Sequence, residues 1–456
     1  MPLAEVLTYF DSLLAFSRNY LRVPGIQAAV HAEGRIAFAG SYGLADVEND
    51  VALTDRHLFR IASHSKTFTA TAIFQLLERG RLRLDDQAAQ YVAELTDHPA
   101  GGITVRELLG HVGGLTRDSG SADFWQLRDA FPDRVRLLEI LAGPDADVLA
   151  PNQRFKYSNI GFGLLGLIIE AATGTPYNAY VRKEIVDRLG LSDLGPELDP
   201  DRLGEYATGY SAYAYADRRV PIDHVDTREL ASATGFYGTA TDLASYFAAH
   251  LPDDDRLLTE ASKRAMRRPQ WPVKPDQTDS RYALGLAVLK VGERDLYGHG
   301  GGYPGHITRS LFDPEAGIAV SVLTNAIDGP ALQLAQAFYK LLDLALDESP
   351  SNDDPAADLS RFTGRFANLW GVVDVALLGG RLYALHPTET DPTAEAQPLE
   401  LAGDSSLRVD GGNGYGAPGE CYEYTFGPNG VTKMRGASGL TYEPLDTFRL
   451  PERVTT

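Results

Sequence analysis

Between Leu346 and Asp358 the sequence reads LDESPSNDDPAAD, with two prolines, two serines and five acids. Such a run stays solvated, because it presents no apolar face to bury and its prolines exclude helix and central strand. A chain interrupted in this way folds as two units. The expected division is a first domain over 1–346, an acidic Pro/Ser linker over 347–358 and a second domain over 359–456.

The two sides differ in pattern. The first begins with an amphipathic helix in MPLAEVLTYFDSLLAF, followed by GIQAAVHAEGRIAFAGSYG, whose alternation around Glu33-Gly34 predicts a β-hairpin. From Lys66 onward, Phe68, Ala72, Ile73, Leu76 and Leu77 recur at helical spacing and Gly80 supplies a stop. A helical middle follows, including IGFGLLGLIIEAATG and TPYNAYVRKEIVDRLG. From Tyr282 the period becomes that of strands, in YALGLAVLKVGERDLYGHG, HITRSLFD and GIAVSVLTNA, before a helix over Pro330–Leu346. This is α+β. Beyond the linker, glycines alternate with strand-like runs such as VVDVALLGG and CYEYTFGPNGVTKMRG, which predicts a small all-β barrel.

Composition narrows the function classes. A net charge of −20, from 62 acidic against 42 basic residues, argues against nucleic acid or an anionic membrane as partner. The single cysteine, Cys421, excludes an intramolecular disulfide framework and any C-x-x-C metal site. The N-terminus lacks the basic region and cleavage site of a signal peptide. No apolar run approaches the ~20 residues that span a bilayer. A soluble, cytoplasmic protein is expected.

FRIASHSKTFTA crowds Ser63, His64, Ser65 and Lys66 together at the start of a helical pattern. Residues three apart on a helix share a face and neighbours do not, so Lys66 is expected beside the Ser63 hydroxyl. His64 is then read as an exposed neighbour and Ser65 as a first-turn polar residue. A serine hydroxyl needs an adjacent base, and a lysine becomes one when burial disfavours its charged form. A helix N-terminus adds partial positive charge and free N–H donors. FKYSNIGFG carries Tyr157-Ser158-Asn159, a hydroxyl and an amide placed by one turn. LYGHGGGYPGH carries His299-Gly300-Gly301, where glycines on a strand allow a substrate backbone to approach closely. A competing His-x-Gly in GHVGGL, with His111, lies amid helical and loop sequence and is read as structural. Taken singly, each motif has a plainer reading: an N-capped helix with a surface lysine, a core tyrosine, a core histidine.

In this order and spacing the three motifs resemble the serine β-lactamase and penicillin-binding-protein superfamily, and within it the class C-like D-aminopeptidases, DD-peptidases and esterases. GGITVRELLGHVGGL, GFYGTATDLASYF and HGGGYPGHITRSLFDPEAGIAVSVLTN extend the resemblance over about residues 20–345. It implies an antiparallel five-stranded sheet flanked by helices, a helical subdomain, and a site between them. It further implies Ser63 as the acylated nucleophile, Lys66 as its base, Tyr157 as the proton shuttle to the leaving group and Asn159 as the group orienting the substrate amide. His299 stands where the family commonly has the lysine of Lys-Thr-Gly. The strand through Gly301 and Gly302 would bind substrate, with the backbone N–H groups of Ser63 and Gly302 as the oxyanion hole, each donor contributing ~3 kcal/mol. No metal and no cofactor are implied. Residues 359–456 resemble the lipocalin-like domain that follows several such hydrolases.

With the lysine and threonine of the third motif absent, a substrate carboxylate is not expected there, and His-Gly-Gly resembles the D-aminopeptidase variant, whose substrate presents an ammonium. The expected partner is a small peptide or an acyl ester or thioester. Other catalytic signatures are absent: there is no Gly-x-Ser-x-Gly elbow and no His-Glu-x-x-His zinc site. Gly-x-Gly-x-x-Gly occurs from Gly161, Gly300 and Gly414, never in a strand-to-helix context. The readings are therefore a D-residue-directed peptidase or amidase, an esterase, a thioesterase of the penicillin-binding-protein type that closes nonribosomal peptides head-to-tail from a carrier protein, and a non-catalytic sensor on the same scaffold. Retention of serine, lysine and tyrosine disfavours the last. Trp125, Tyr237 and Tyr303 are candidates for the cleft or the core, and Arg449 for a cleft contact or the surface.

Overall fold

The computed structural model describes residues 2–275, 277–347, 357–412 and 417–450. The chain divides into two units, Val23–Ala335 and a second that joins Met1–Arg22 to Gln336–Thr456. Five helices matter below: α1 (Leu3–Tyr20), α2 (Ser65–Glu78), α3 (Asn159–Thr173), α4 (Ala240–Ala248) and α5 (Ala331–Ala345). Among the described residues, no single helix is long and apolar enough to cross a membrane.

The larger unit is built on a sheet of β1 (Gly25–Ala32), β2 (Arg35–Asp46), β3 (Val51–Ala52), β4 (Trp271–Lys274), β5 (Gln277–Tyr282), β6 (Ala287–Val291), β7 (Arg294–Tyr303), β8 (His306–Asp313) and β9 (Ile318–Thr324). Their order is β3-β2-β1-β9-β8-β7-β6-β5-β4, and every pairing is antiparallel. The β1–β2 hairpin turns at Glu33 and Gly34, with φ of +53° and +75°, the primed turn that suits the strand twist.

The sheet has nine strands among the described residues, not the expected five. The stretch from Tyr282 turns at Gly285 (φ +79°), so that β5 and β6 pair with each other. β4 escapes notice because WPVKPDQTDSRY has prolines and no apolar alternation; where described, β4 alternates only between half-buried and exposed. An edge ribbon buries too little to leave a hydrophobic pattern.

Helix α4 lies across β1 and β9 on one face of the sheet. Helix α2 is buried from Ser65 to Leu76, so it shows no polar stripe. Its Phe68 ring stacks between Phe236 and Tyr246, at centroid distances of 4.0 and 3.7 Å. Side chains of this size each contribute about 2–3 kcal/mol on full burial. Helix α3 opens on Ser158, whose Oγ accepts from the Gly161 N–H at 2.8 Å, and closes on Gly174 at φ +69°. These two core helices carry two of the expected site residues, Lys66 and Asn159, and follow directly on Ser63 and Tyr157.

The second unit contains a closed barrel of eight strands in sequential order, from Gly364–Asn368 to Thr441–Pro444. That is the up-and-down architecture of lipocalins. Its interior is filled by Phe362, Phe366, Leu382, Leu399, Leu407 and Met434, among others. Helix α1 and α5 from Gln336 onward group with this barrel and not with the sheet, unlike a division at residue 346. The reason is local: Tyr9 donates to Asp374 at 2.8 Å, Arg365 also holds Asp374 at 2.7 Å, and Phe10 meets Phe338 edge-on at 5.3 Å. Most of the linker, residues 348–356, falls outside the described residues.

Candidate active site

Ser63 does not begin the α-helix. It sits in a 3₁₀ turn, Ala62–His64, that feeds α2 at Ser65. Ala62 has φ +46°, a left-handed conformation that costs a non-glycine residue about 1–2 kcal/mol. The surroundings hold it there. Ser65 Oγ donates to the Ala62 carbonyl at 2.6 Å and accepts the Phe236 N–H at 3.0 Å. Just before the turn, buried Arg60 is fixed by Glu197 at 2.7 Å and by the Val225 carbonyl at 2.8 Å.

His64 points away from Ser63, but it is fully buried and not exposed as expected. Its Nδ1 bonds the Ile61 carbonyl at 2.9 Å and its Nε2 meets Ser310 Oγ at 3.1 Å. Away from the nucleophile means toward the sheet here. Burial pulls its pKa down to about 3, so it is neutral.

Lys66 is fully buried, and its Nζ reaches three oxygens: Ser63 Oγ at 3.2 Å, Asn159 Oδ1 at 2.7 Å and the Ala233 carbonyl at 2.8 Å. Desolvation holds its pKa well below the usual lysine value, with the Asp118 charge acting in the opposite direction. A neutral amine has two N–H donors and one lone pair. Asn159 and Ala233 offer acceptors only, so they take the two protons. The lone pair then faces the Ser63 hydroxyl.

Tyr157 Oη donates to Ser63 Oγ at 2.8 Å. Burial pushes its pKa far up, so it holds its proton. The Lys66 Nζ stands 4.7 Å and the Arg117 guanidinium 5.0 Å from the ring centroid. Asn159, the first residue of α3, turns Oδ1 to Lys66 and donates from Nδ2 to Asp118 Oδ1 at 2.7 Å. Asp118 is buried and also accepts from Trp125 Nε1 at 2.9 Å. The Trp125 ring packs on Phe131, so it serves this support and the core together.

The glycines of β7 bring the strand against the nucleophile turn. A Cβ on Gly301 would stand 2.1 Å from the Ile61 carbonyl oxygen, so only glycine fits. At Gly302 the nearest atom to such a Cβ is Ile307 Cδ1, at 3.7 Å, and the residue is exposed. His299 is buried, with Nδ1 on the Gly300 carbonyl at 2.7 Å and Nε2 on Tyr282 Oη at 3.1 Å. Both ring nitrogens are engaged by the scaffold, and desolvation by burial keeps the ring neutral.

Ser63, Lys66, Tyr157 and Asn159 thus meet through direct hydrogen bonds, while His299 supports the strand beside them. His111 is buried under Tyr157 at a centroid distance of 4.3 Å and accepts the Ser158 N–H at 3.1 Å. Tyr237 and Tyr303 are core, the latter bonded to Val225 and covered by Arg60. Arg449 is exposed on the barrel unit and donates to the Asp446 and Phe448 carbonyls. Asp118, the Ala233 carbonyl and Arg117 were not marked by any local motif. Among the described residues, no group of three His, Cys, Asp or Glu is arranged to hold a metal ion.

The Beta-lactamase family model matches residues 13–344. Penicillin-binding protein 4* of Bacillus subtilis (strain 168) is 29% identical over 292 residues, which cover 61% of this chain and 63% of that protein. The chain therefore spans less than two thirds of that relative's length. A crystal structure of SurE superposes with a TM-score of 0.63 at 26% identity, covering 98% of this chain and 100% of SurE, and a second, with D-Leu, is also similar. D-amino acid amidase from Ochrobactrum anthropi SV3 gives a TM-score of 0.60 at 25% identity, over 74% of this chain and 99% of that one.

Proposed function

This chain belongs to the Beta-lactamase family, and from that premise we propose that it is a serine hydrolase that cleaves amide bonds of small peptides containing D-residues through an acyl-enzyme on Ser63. One observation carries the reading: the buried Lys66 amine, held by Asn159 and Ala233, with its remaining direction on Ser63 Oγ. A lysine kept neutral in that way is a general base poised at its substrate proton.

Lys66 Nζ takes the Ser63 hydroxyl proton as Oγ bonds the carbonyl carbon. The backbone N–H groups of Ser63 and Gly302 receive the developing oxyanion. Tyr157 gives its proton to the leaving nitrogen as the C–N bond breaks, and recovers one from Lys66. Water then attacks the Ser63 ester as Lys66 takes its proton, and Lys66 returns that proton to Ser63 Oγ as the C–O bond breaks and the acid departs. Asn159 has both polar ends engaged, so its role is to hold Lys66 and not to meet the substrate amide. The D-residue preference is supported by the amidase named above and by the D-Leu complex of SurE.

The test is a mass spectrum of the products from a linear peptide thioester with a free N-terminus and D-residues at both ends. Loss of the thiol with gain of water, abolished by Ser63→Ala, supports hydrolysis. Loss of the thiol without water means the substrate's own amine resolves the acyl-enzyme, as in a cyclase. Activity unchanged in Ser63→Ala on every ester and amide tried sinks the proposal.

A further inference from the structure

Arg117 lies in a loop two residues beyond GHVGGL, and its backbone and side chain serve different partners. Its carbonyl accepts the N–H groups of Asn159 at 2.7 Å and Ile160 at 3.3 Å, which the first turn of α3 leaves without intrahelical acceptors. Its Nε meets Asp118 Oδ2 at 3.2 Å, and its guanidinium lies 5.0 Å from the Tyr157 ring centroid. The main-chain bonds fix where this side chain starts, and the ion pair fixes where it ends. A long surface side chain is thereby held over one ring.

The leaving-group step asks Tyr157 to part with its proton where an anion is poorly solvated. Burial is the largest influence on this phenol and favours the neutral form, and Arg117 acts in the opposite direction. Other groups face the ring as well. His111, at a centroid distance of 4.3 Å, is held neutral by burial. Lys66, 4.7 Å from the ring centroid, becomes an ammonium only after taking the Ser63 proton. Asp118 opposes the anion, and Arg309, paired with Gly300 across β7 and β8, favours it. A guanidinium stays charged through the whole cycle, and that of Arg117 sits within cation–π distance of the ring.

We propose that Arg117 is a positioning residue for the leaving-group step: its guanidinium, held over the Tyr157 ring, stabilises the tyrosinate left when the phenol proton passes to the leaving nitrogen. The inference rests on the acyl-enzyme reading above and deepens it. The proton moves from Tyr157 Oη to the nitrogen as the C–N bond breaks, and one returns to Oη from Lys66. The anion exists only between these two transfers, and the cation is in place before the first. A fixed cation attracts a ring bearing a full negative charge more than one bearing only its quadrupole. The stabilisation is therefore differential, which is what raises kcat. The Arg117 side chain is 62% exposed, so water screens it and the effect is moderate.

The test compares D-phenylalanyl 4-nitroanilide, whose leaving nitrogen needs a proton, with the matching 4-nitrophenyl ester, whose leaving oxygen does not. Acylation rates are read in wild type, Arg117→Gln and Arg117→Lys on the high-pH plateau, because Arg117 also bears on Lys66. The capping bonds come from the Arg117 backbone, so both variants keep them. Arg117→Gln is expected to lower kcat on the anilide about three- to thirtyfold, with KM and the ester rate within about twofold. Arg117→Lys, which keeps the charge, is expected to recover part of the loss. Equal slowing of both substrates overturns the proposal, since both need the Asp118–Asn159–Lys66 chain that a merely structural Arg117 would support. So does an unchanged anilide rate, or an Arg117→Lys no faster on the anilide than Arg117→Gln. Wild-type protein that gains no acyl mass at Ser63 from the ester sinks the serine reading and this proposal with it. An acyl mass in wild type with an unchanged anilide-to-ester ratio in the variants sinks this proposal alone.

Discussion

Asn159 donates to Asp118 at 2.7 Å, and this bond turns the amide oxygen toward Lys66. Without it the amide is free to flip and present N–H groups to the Lys66 amine. Asp118 is also the charge that raises the Lys66 pKa against desolvation. Asp118→Asn is therefore expected to lower kcat/KM by about ten- to a hundredfold through misplacement of the base. Removing the negative charge lowers the Lys66 pKa further, so the acid limb of the kcat/KM profile should move to lower pH. A profile with an unmoved acid limb would show that Asp118 acts only as packing.

Tyr157→Phe keeps the ring on His111 and loses the hydroxyl that reaches Ser63. Proton transfer by a positioned side chain contributes about a hundred- to ten-thousandfold. The loss should appear in kcat, with KM nearly unchanged, because the hydroxyl acts on the reacting atoms. It should also shrink for activated esters, whose leaving groups need no proton. Pre-steady-state acylation of a nitrophenyl ester beside an anilide would measure this. Equal losses on both substrates would remove Tyr157 from the leaving-group step.

The four residues that meet at Ser63 were legible because each belongs to a short motif whose spacing fixes a face: Ser63 with Lys66 on one turn, Tyr157 with Asn159 at a helix start. What supports them was not. Asp118 is 41 residues before Asn159 and has no motif of its own, and the Ala233 carbonyl carries no side-chain signal at all. Arg309 is recognisable only through strand register, since β8 reads as an ordinary alternating strand. His64 shows the limit of helix-face reasoning: the period says which way a side chain turns, and not whether solvent or a sheet waits there. The same holds for β4, an edge strand whose pattern carries no burial.

Six histidines of the larger unit, His64, His111, His224, His250, His299 and His306, have pKa values lowered mainly by burial. The unfolded chain takes up protons near pH 6.5, and the folded one does so only toward the lowered values, about 3 for His64 and His250 and about 4 for His224. The unfolded state thus binds more protons in that window, and stability falls as pH falls through it. Each such histidine contributes a slope of up to about 1.4 kcal/mol per pH unit. Urea midpoints measured from pH 7.5 to pH 5 should decline steeply and flatten above about pH 7. A midpoint independent of pH over that range would mean the rings are already charged or exposed.

Gly301 and Gly302 are adjacent and chemically identical, yet the structure separates their substitutions. A methyl at Gly301 would meet the Ile61 carbonyl at 2.1 Å, backbone against backbone, whereas at Gly302 it makes ordinary contact with Ile307 at 3.7 Å. Gly301→Ala must push β7 away from the turn that holds Ser63. A cost of about 1–3 kcal/mol in stability is expected, as for other overpacked sites. Because Ile61 leads directly into Ala62 and Ser63, acylation should also slow. Gly302→Ala should be nearly neutral for stability, and any loss of activity there would report on the mouth of the cleft. Denaturation and acylation rates of the two variants, measured together, decide the matter. Equal stability would mean β7 does not press on the nucleophile turn, and the rigid placement of Ser63 would then need another cause.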